Sequence, residues 1–279
     1  MAGILPPITF LGAGSMAGAI LAGLLQPSVE RTGRIRVTNR SRANAERFAG
    51  IDAVDAIALE DTPDGNRVAV AGAKLVVVAV KPAMVPDLLS EISAALEPDA
   101  VVVSVAAGVT IATMEGLLPE SVAVIRTMPN TPARVGRGVT GISAGTRATD
   151  DDIALVEQLF STVGSTLVLD ESNIDALSTI SGSGPAYVFY LIEQLEAAAL
   201  ALGFSAADAA LMVRETFAGS LALLEASGEE PRELRRQVTS PNGTTERAIA
   251  TFDADDLAAT FRAATAAALA RARELAAGS

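Results

Sequence analysis

Two runs, LVVVAV at 75–80 and VVVSV at 101–105, show almost no alternation between polar and apolar residues. A strand with one wet face alternates, whereas a strand that is β-branched and apolar throughout has to bury both faces, as strands do in a parallel sheet covered by helices. Shorter runs of the same kind, at 8–11, 35–38 and 122–126, recur between longer segments of mixed polarity. That alternation predicts βαβ units and an α/β fold through residue 168. After Asp170 the texture changes. PAYVFYLIEQLEAAALALG, AADAALMVRETFAGSLALLEASG and DDLAATFRAATAAALARARELAAG, the last ending at residue 278, carry apolar residues at helical spacing. With 50% hydrophobic and 19% charged residues over 279 positions, the chain can bury a large core.

The first run leads into FLGAGSMAG at 10–18. Gly12 permits a tight turn, Gly14 lets the backbone approach a pyrophosphate, and a helix starting near Ser15 presents free N–H groups and the positive end of its dipole. Ala17 stands where the last glycine of a dinucleotide fingerprint would be. The same residues describe an ordinary tight turn, but their place directly after the first strand of a βαβ pattern is what the fingerprint requires. The expected architecture is an N-terminal Rossmann-type dinucleotide-binding domain over 1–168 and an all-helical domain over 169–279. At the end of the second run, where an NAD enzyme places Asp or Glu, stand Asn39, Arg40, Ser41 and Arg42. Two cations and a hydroxyl suit the 2′-phosphate of NADPH; a solvated loop with surface arginines is the alternative. AVKP at 79–82 and SVAAG at 104–108 end the next strands, on the edge where such sheets hold ligands. Lys81 precedes Pro82 there, and reads as a backbone and nucleotide contact rather than a catalytic acid.

Composition removes whole classes of function. With 21 Lys plus Arg against 33 Asp plus Glu, the net charge of −12 repels nucleic acid and anionic membranes. There is no histidine and no cysteine, so imidazole acid–base chemistry, thiolate nucleophiles and the commonest metal ligands are excluded, and no metal is expected. The first residues, MAGILPPITF, lack the positive region of a signal peptide, and the apolar runs fall short of the roughly 18 residues of a membrane span. A soluble cytoplasmic protein is expected.

The helical half contains two polar, glycine-bearing turns. SGSGPAY at 181–187 puts Pro185 at a first helical position, leaving N–H groups near Ser183 and Gly184 to receive a carboxylate. SPNGTTE at 240–246 forms a Pro-Asn-Gly turn, then offers Thr244 or Thr245 as N-cap with Glu246 in the first turn. Helix capping alone would explain these residues equally well. Leu211, Val213, Phe217, Leu221 and Leu224 cannot share one narrow seam, which leaves a compact bundle core or a second subunit; the small size of the domain favours the second.

Read together, LGAGSMA, TNRS, AVKP, SVAAGV, RTMPNTPA at 126–133, DALSTISGSGPAYVF at 175–189 and VTSPNGTTERAI at 238–249 make the chain resemble the pyrroline-5-carboxylate reductases over nearly its whole length. It departs at Asn242, where many members carry glycine, and at Val105, often cysteine. The resemblance implies NADPH-dependent reduction of 1-pyrroline-5-carboxylate to L-proline, the last step of proline biosynthesis, with NADH less favoured. It also implies a homodimer or higher homo-oligomer built by the helical domain. A cyclic imine suits a chain without histidine, because its nitrogen can be protonated before hydride arrives. By the same resemblance Leu11, Gly12, Ala13, Gly14, Ser15 and Met16 hold the pyrophosphate, Asn39, Arg40 and Ser41 the 2′-phosphate end, and Asn66 the adenosine. Ala79, Val80, Lys81 and Pro82, with Ala106, Ala107 and Gly108, line the nicotinamide half. Glu171, Ser183, Gly184, Gly243, Thr244 and Thr245 fall to the substrate, although Glu171 in DESN would look the same as a plain exposed carboxylate. Thr245, with Ser240 nearby, is the catalytic candidate, its hydroxyl donating to the ring nitrogen. A related imine reductase or β-hydroxyacid dehydrogenase would lack the paired SGSGPA and SPNGTT loops, and a non-catalytic NADP-binding protein would have no use for them.

Overall fold

The computed structural model describes residues 3–276. Two compact units emerge, one running to Ser183 together with the chain from Leu269 onward, the other Gly184–Ala268.

The first unit is built on one eight-stranded sheet: β1 (Ile8–Leu11), β2 (Ile35–Asn39), β3 (Val54–Ala58), β4 (Leu75–Val78), β5 (Val101–Ser104), β6 (Ala123–Met128), β7 (Gly138–Ala144) and β8 (Gly164–Val168). Its order is β3-β2-β1-β4-β5-β6-β7-β8, parallel throughout except for the β6–β7 pair. The unbroken apolar runs are the central strands, as their pattern requires. Val77, Val103 and Ile125 face one core with Ile20, Leu24 and Phe160, while Val76, Val102 and Val124 face the other with Leu89 and Ile92. Strands β3, β7 and β8 carry little sequence signal. VDAIA and GSTLV are the sheet's outermost strands and are only partly buried, and GVTGISA holds two glycines.

Residues 171–183 resemble the helical half in composition yet pack on the sheet. Arg126, within β6 and only 4% exposed, donates from Nη1 to Glu171 (3.1 Å) and from Nη2 to Asp175 (2.7 Å). Leu177 lies against Gly141 of β7, where an added Cβ would come within 2.9 Å of it. Asn130 donates to the Ser181 carbonyl at 2.9 Å and accepts the Val139 N–H at 2.8 Å. Compactness therefore divides the chain after Ser183, later than the change in texture at 168/169.

The second unit holds helices Gly184–Ala201, Ala206–Ser227, Pro231–Gln237 and Thr244–Ala254, and most of Leu257–Ala276. The last begins after Asp256, whose left-handed backbone breaks the path; the expected continuation to residue 278 lies partly outside the described residues. Among the described apolar residues of this unit, Ala209 and Val213 alone are buried, while Leu211 is 63% and Leu221 60% exposed. One copy of the chain thus builds no bundle core from these helices. No described helix is long and apolar enough to cross a membrane.

Replacing Arg126 with methionine leaves two carboxylates without their cation, a loss discounted by their partial exposure to about 2 to 3 kcal/mol. The denaturation midpoint should fall accordingly, and amide exchange should accelerate over 171–183 before the central strands; unchanged protection there would contradict this anchoring.

Candidate functional site

The order of the sheet reverses between β1 and β4, and the crevice at such a switch point, outside the carboxyl ends of the strands, is where open α/β sheets bind ligands. There the Ala79 N–H donates to the Leu11 carbonyl at 2.9 Å, bringing the two strand exits into contact. Gly12 passes between them with φ +84°. A Cβ on it would stand 2.9 Å from Val80 Cγ1 and 3.1 Å from the Ala79 carbonyl, so both conformation and space demand glycine. Gly14 differs: nothing lies within 4 Å of where its Cβ would be, and its φ of −74° suits any residue. It caps helix Ser15–Leu24 without a side-chain hydrogen bond, and the first intrahelical bond runs from Gly18 N–H to the Gly14 carbonyl (2.9 Å). The N–H groups of Ser15, Met16 and Ala17 are left without helical acceptors.

Asn39, at the end of β2, braces this loop. The residue is 6% exposed, Oδ1 accepts the Ala13 N–H at 3.3 Å, and Nδ2 is buried with no hydrogen-bond partner among the described residues. Thr38 supports the same loop, its carbonyl accepting the Gly12 N–H at 3.1 Å. An open cradle, free helical N–H groups and an unsatisfied buried donor together suit an anionic pyrophosphate.

Along the other wall, Val105 N–H donates to the Val78 carbonyl (3.0 Å), Ala106 N–H to Ser104 Oγ (3.2 Å), and Gly108 turns the chain at φ +76°. Ala106 is buried and Ala107 exposed. Lys81 and Pro82 are exposed beyond Ala79 and Val80, with Pro82 beginning a short 3-10 turn. Asn66 is buried in helix Gly65–Val70 and its amide donates to Glu91 at 3.1 Å.

One expectation for the β2 loop fails. Arg42 was expected as a second cation beside a 2′-phosphate, but its Nε and Nη2 both donate to the Asp61 carboxylate, the Nε contact at 3.0 Å. The hydrogen bonds and charge of Asp61 raise the Arg42 pKa further, and Arg42 in turn lowers that of Asp61. Arg40 is exposed, with no ion pair among the described residues.

The remaining positions show two further differences. Ser183 N–H is not open to a carboxylate, since it donates to the Ser178 carbonyl at 2.8 Å; a π-helical turn, Ser178–Gly182, carries the chain almost continuously into helix Gly184–Ala201. Nor is either threonine an N-cap. Gly243 occupies that position, its N–H donating to the Ser240 carbonyl (2.9 Å), while Glu246 reaches back to the Asn242 N–H (2.7 Å). Asn242 adopts φ +59°, a conformation asparagine tolerates. Thr244 and half-buried Thr245 are the first two helical residues, and among the described residues neither hydroxyl makes a hydrogen bond. Glu171 is no free carboxylate: Oε1 accepts from Ile111 N–H (2.7 Å) and Arg126, and its residue borders an open concavity of about 740 Å³ with Glu115 and Thr146. The glycine loop, strand ends, Glu171 and Ser183 belong to the first unit; Gly184, Ser240, Gly243, Thr244 and Thr245 belong to the second.

A family model described as pyrroline-5-carboxylate reductase dimerisation matches residues 171–275, and one described as NADP oxidoreductase, coenzyme F420-dependent, matches 7–108. Over 272 residues, 97% of each chain, this one is 39% identical to the pyrroline-5-carboxylate reductase of Pseudomonas aeruginosa. The chain belongs to the pyrroline-5-carboxylate reductase family. The Coxiella burnetii reductase structure matches with a TM-score of 0.88 at 35% identity, covering 96% of this chain and 97% of that one. A Plasmodium falciparum pyrroline carboxylate reductase, solved with NADP bound, matches at 0.82 and 24% identity over 99% of each chain, a likeness of fold alone. This reductase is thus an oxidoreductase with an N-terminal Rossmann-type domain and a C-terminal helical region matching the dimerisation model. Asn130 and Arg126, which tie the 171–183 segment to the sheet, were visible in the sequence only as parts of RTMPNTPA, with no sign of their partners.

The two glycines should fail differently. Gly12→Ala should cost about 2 to 4 kcal/mol of stability through left-handed strain and overpacking. Gly14→Ala should leave the melting temperature unchanged and weaken NADPH binding about tenfold or more, equivalent to roughly 1.4 kcal/mol or more. Equal affinity in Gly14→Ala would show that the cradle is not used.

Proposed function

We propose that this reductase converts 1-pyrroline-5-carboxylate to L-proline, with NADPH preferred over NADH. The observation that carries the reading is its likeness to a family member over 97% of each chain, which takes in the cofactor cradle and the substrate loops alike. The match of residues 7–108 to a family model described as an NADP oxidoreductase supports the choice of cofactor. When bound, NADPH supplies the hydride for the C=N carbon. On this chain, the amides of Gly14, Ser15 and Met16 would hold the pyrophosphate, while Asn39, which the resemblance puts at the 2′-phosphate end, braces the same loop through the Ala13 N–H. Arg40 and Ser41 would take the 2′-phosphate, and Asn66 would face the adenosine. Residues 79–82 and 106–108 would flank the nicotinamide.

We assign the substrate to a domain reckoned from 169 to 279, with Gly184, Gly243 and Thr244 orienting it and Glu171 holding the Ile111 backbone in register. As hydride reaches the C=N carbon and the iminium becomes an amine, its nitrogen gains a lone pair to which the Thr245 hydroxyl donates, and Ser240 stands in the same turn. Because the substrate nitrogen brings its own proton, a hydroxyl that orients is sufficient and no imidazole is needed. Exposed Leu211, Leu221 and Leu223 support a homodimer or larger homo-oligomer through the helical unit, in which a second copy supplies the missing core. Cytoplasmic location fits a biosynthetic reductase without disulfide-forming cysteines.

The test combines substrate and variant. Wild-type protein should oxidise NADPH on addition of 1-pyrroline-5-carboxylate and not on addition of an open-chain 2-oxo acid; the reverse pattern would mark a hydroxyacid dehydrogenase. Thr245→Ala should lower turnover about 10- to 100-fold, with NADPH affinity and melting temperature unchanged, and Thr245→Ser should retain far more. Full turnover in Thr245→Ala would remove the hydroxyl from the mechanism.

A further inference from the structure

The loop that leaves β2 is met by the chain leaving β3. Glu60 N–H donates to the Arg40 carbonyl at 3.2 Å, and Glu60 Oε1 accepts the Arg42 N–H at 2.6 Å. The next residue, Asp61, holds the Arg42 guanidinium. One dipeptide therefore takes up a backbone donor and a cation from the loop expected to face the far end of the cofactor. Glu60 is exposed, and Oε2 makes no hydrogen bond among the described residues.

We propose that Glu60 is a specificity-determining residue, restraining the preference for NADPH below what Arg40 alone would give. This rests on the reading that the chain binds a nicotinamide dinucleotide with its 2′ end at Arg40 and Ser41. A phosphate monoester carries a charge of about −1.5 to −2 at neutral pH. A fixed carboxylate hydrogen-bonded to that loop repels it, whereas a 2′-hydroxyl is not repelled and can donate to the open Oε2, as ribose hydroxyls do to acidic residues in NAD-binding sites. Arg42 does not offset the repulsion because Asp61 neutralises it. The acids on β3's exit thus act on a choice usually made at the end of β2.

The test measures dissociation constants for NADPH and NADH, and for 2′-phospho-ADP-ribose and ADP-ribose, by calorimetric titration of the full chain. Glutamine keeps a carbonyl for the Arg42 N–H, so Glu60→Gln should preserve the loop, with Glu60→Ala as the second variant. Both should tighten NADPH and the 2′-phosphorylated fragment by about threefold to tenfold without tightening NADH, and the gain should shrink at high salt. Arg42→Ala should weaken NADPH by freeing Asp61, and Arg40→Ala should weaken it about tenfold. An unchanged or smaller ratio of NADPH to NADH affinity in both Glu60 variants, with both cofactors still bound, would overturn the inference. Failure of wild-type protein to bind either dinucleotide would overturn the cofactor reading and this inference with it.

Discussion

Two strand exits meet at the centre of the sheet, where the Leu11 carbonyl accepts the Ala79 N–H and Gly12 slips between them. The contact is possible because β1 and β4 are neighbours buried on both faces, and their side chains are apolar at nearly every position. It turns the backbone directly into helix Ser15–Leu24, whose first N–H groups have no helical acceptors. Asn39 then fixes the loop from the β2 side, at the cost of a buried amide left with an open donor.

The chain has neither imidazole nor thiol, so backbone groups and hydroxyls stand prominent among the candidates for its chemistry. Gly243, not a threonine, closes the N-terminus of helix Thr244–Ala254, and Glu246 turns back to Asn242. The helix end is therefore closed without either threonine side chain, and among the described residues the Thr244 and Thr245 hydroxyls keep their hydrogen-bonding capacity. In the first unit the same economy places Arg126 between Glu171 and Asp175, so that the segment leading to SGSGP is anchored by ion pairs rather than by a core of its own.

The parts legible in the sequence were those set by local rules. Unbroken β-branched runs announced the central strands, the glycine spacing announced the turn and helix after β1, and the alanine- and leucine-rich stretches announced the long helices. What escaped depends on partners distant in sequence. Arg42 reads as a free cation until the fold brings Asp61 to it, and Ser183 reads as a helix start until the π-helical turn takes its N–H. Strands β3, β7 and β8 escaped because exposed outer positions and glycines erase the pattern that burial would impose. Residues 171–183 share their composition with the helices that follow, and only Arg126, Asn130 and Gly141 reveal that the sheet claims them.

At the centre of this account is the cradle formed by the Gly12 turn and the free N–H groups of Ser15, Met16 and Ala17. Amide hydrogen exchange with and without saturating NADPH tests it most directly, because these groups lack helical acceptors in the free chain and should exchange quickly. The account predicts that NADPH slows exchange at residues 14–17 and at 106–108. NADPH that binds yet leaves both stretches unprotected, with protection confined to the opposite end of the sheet or to the helical unit, would contradict it.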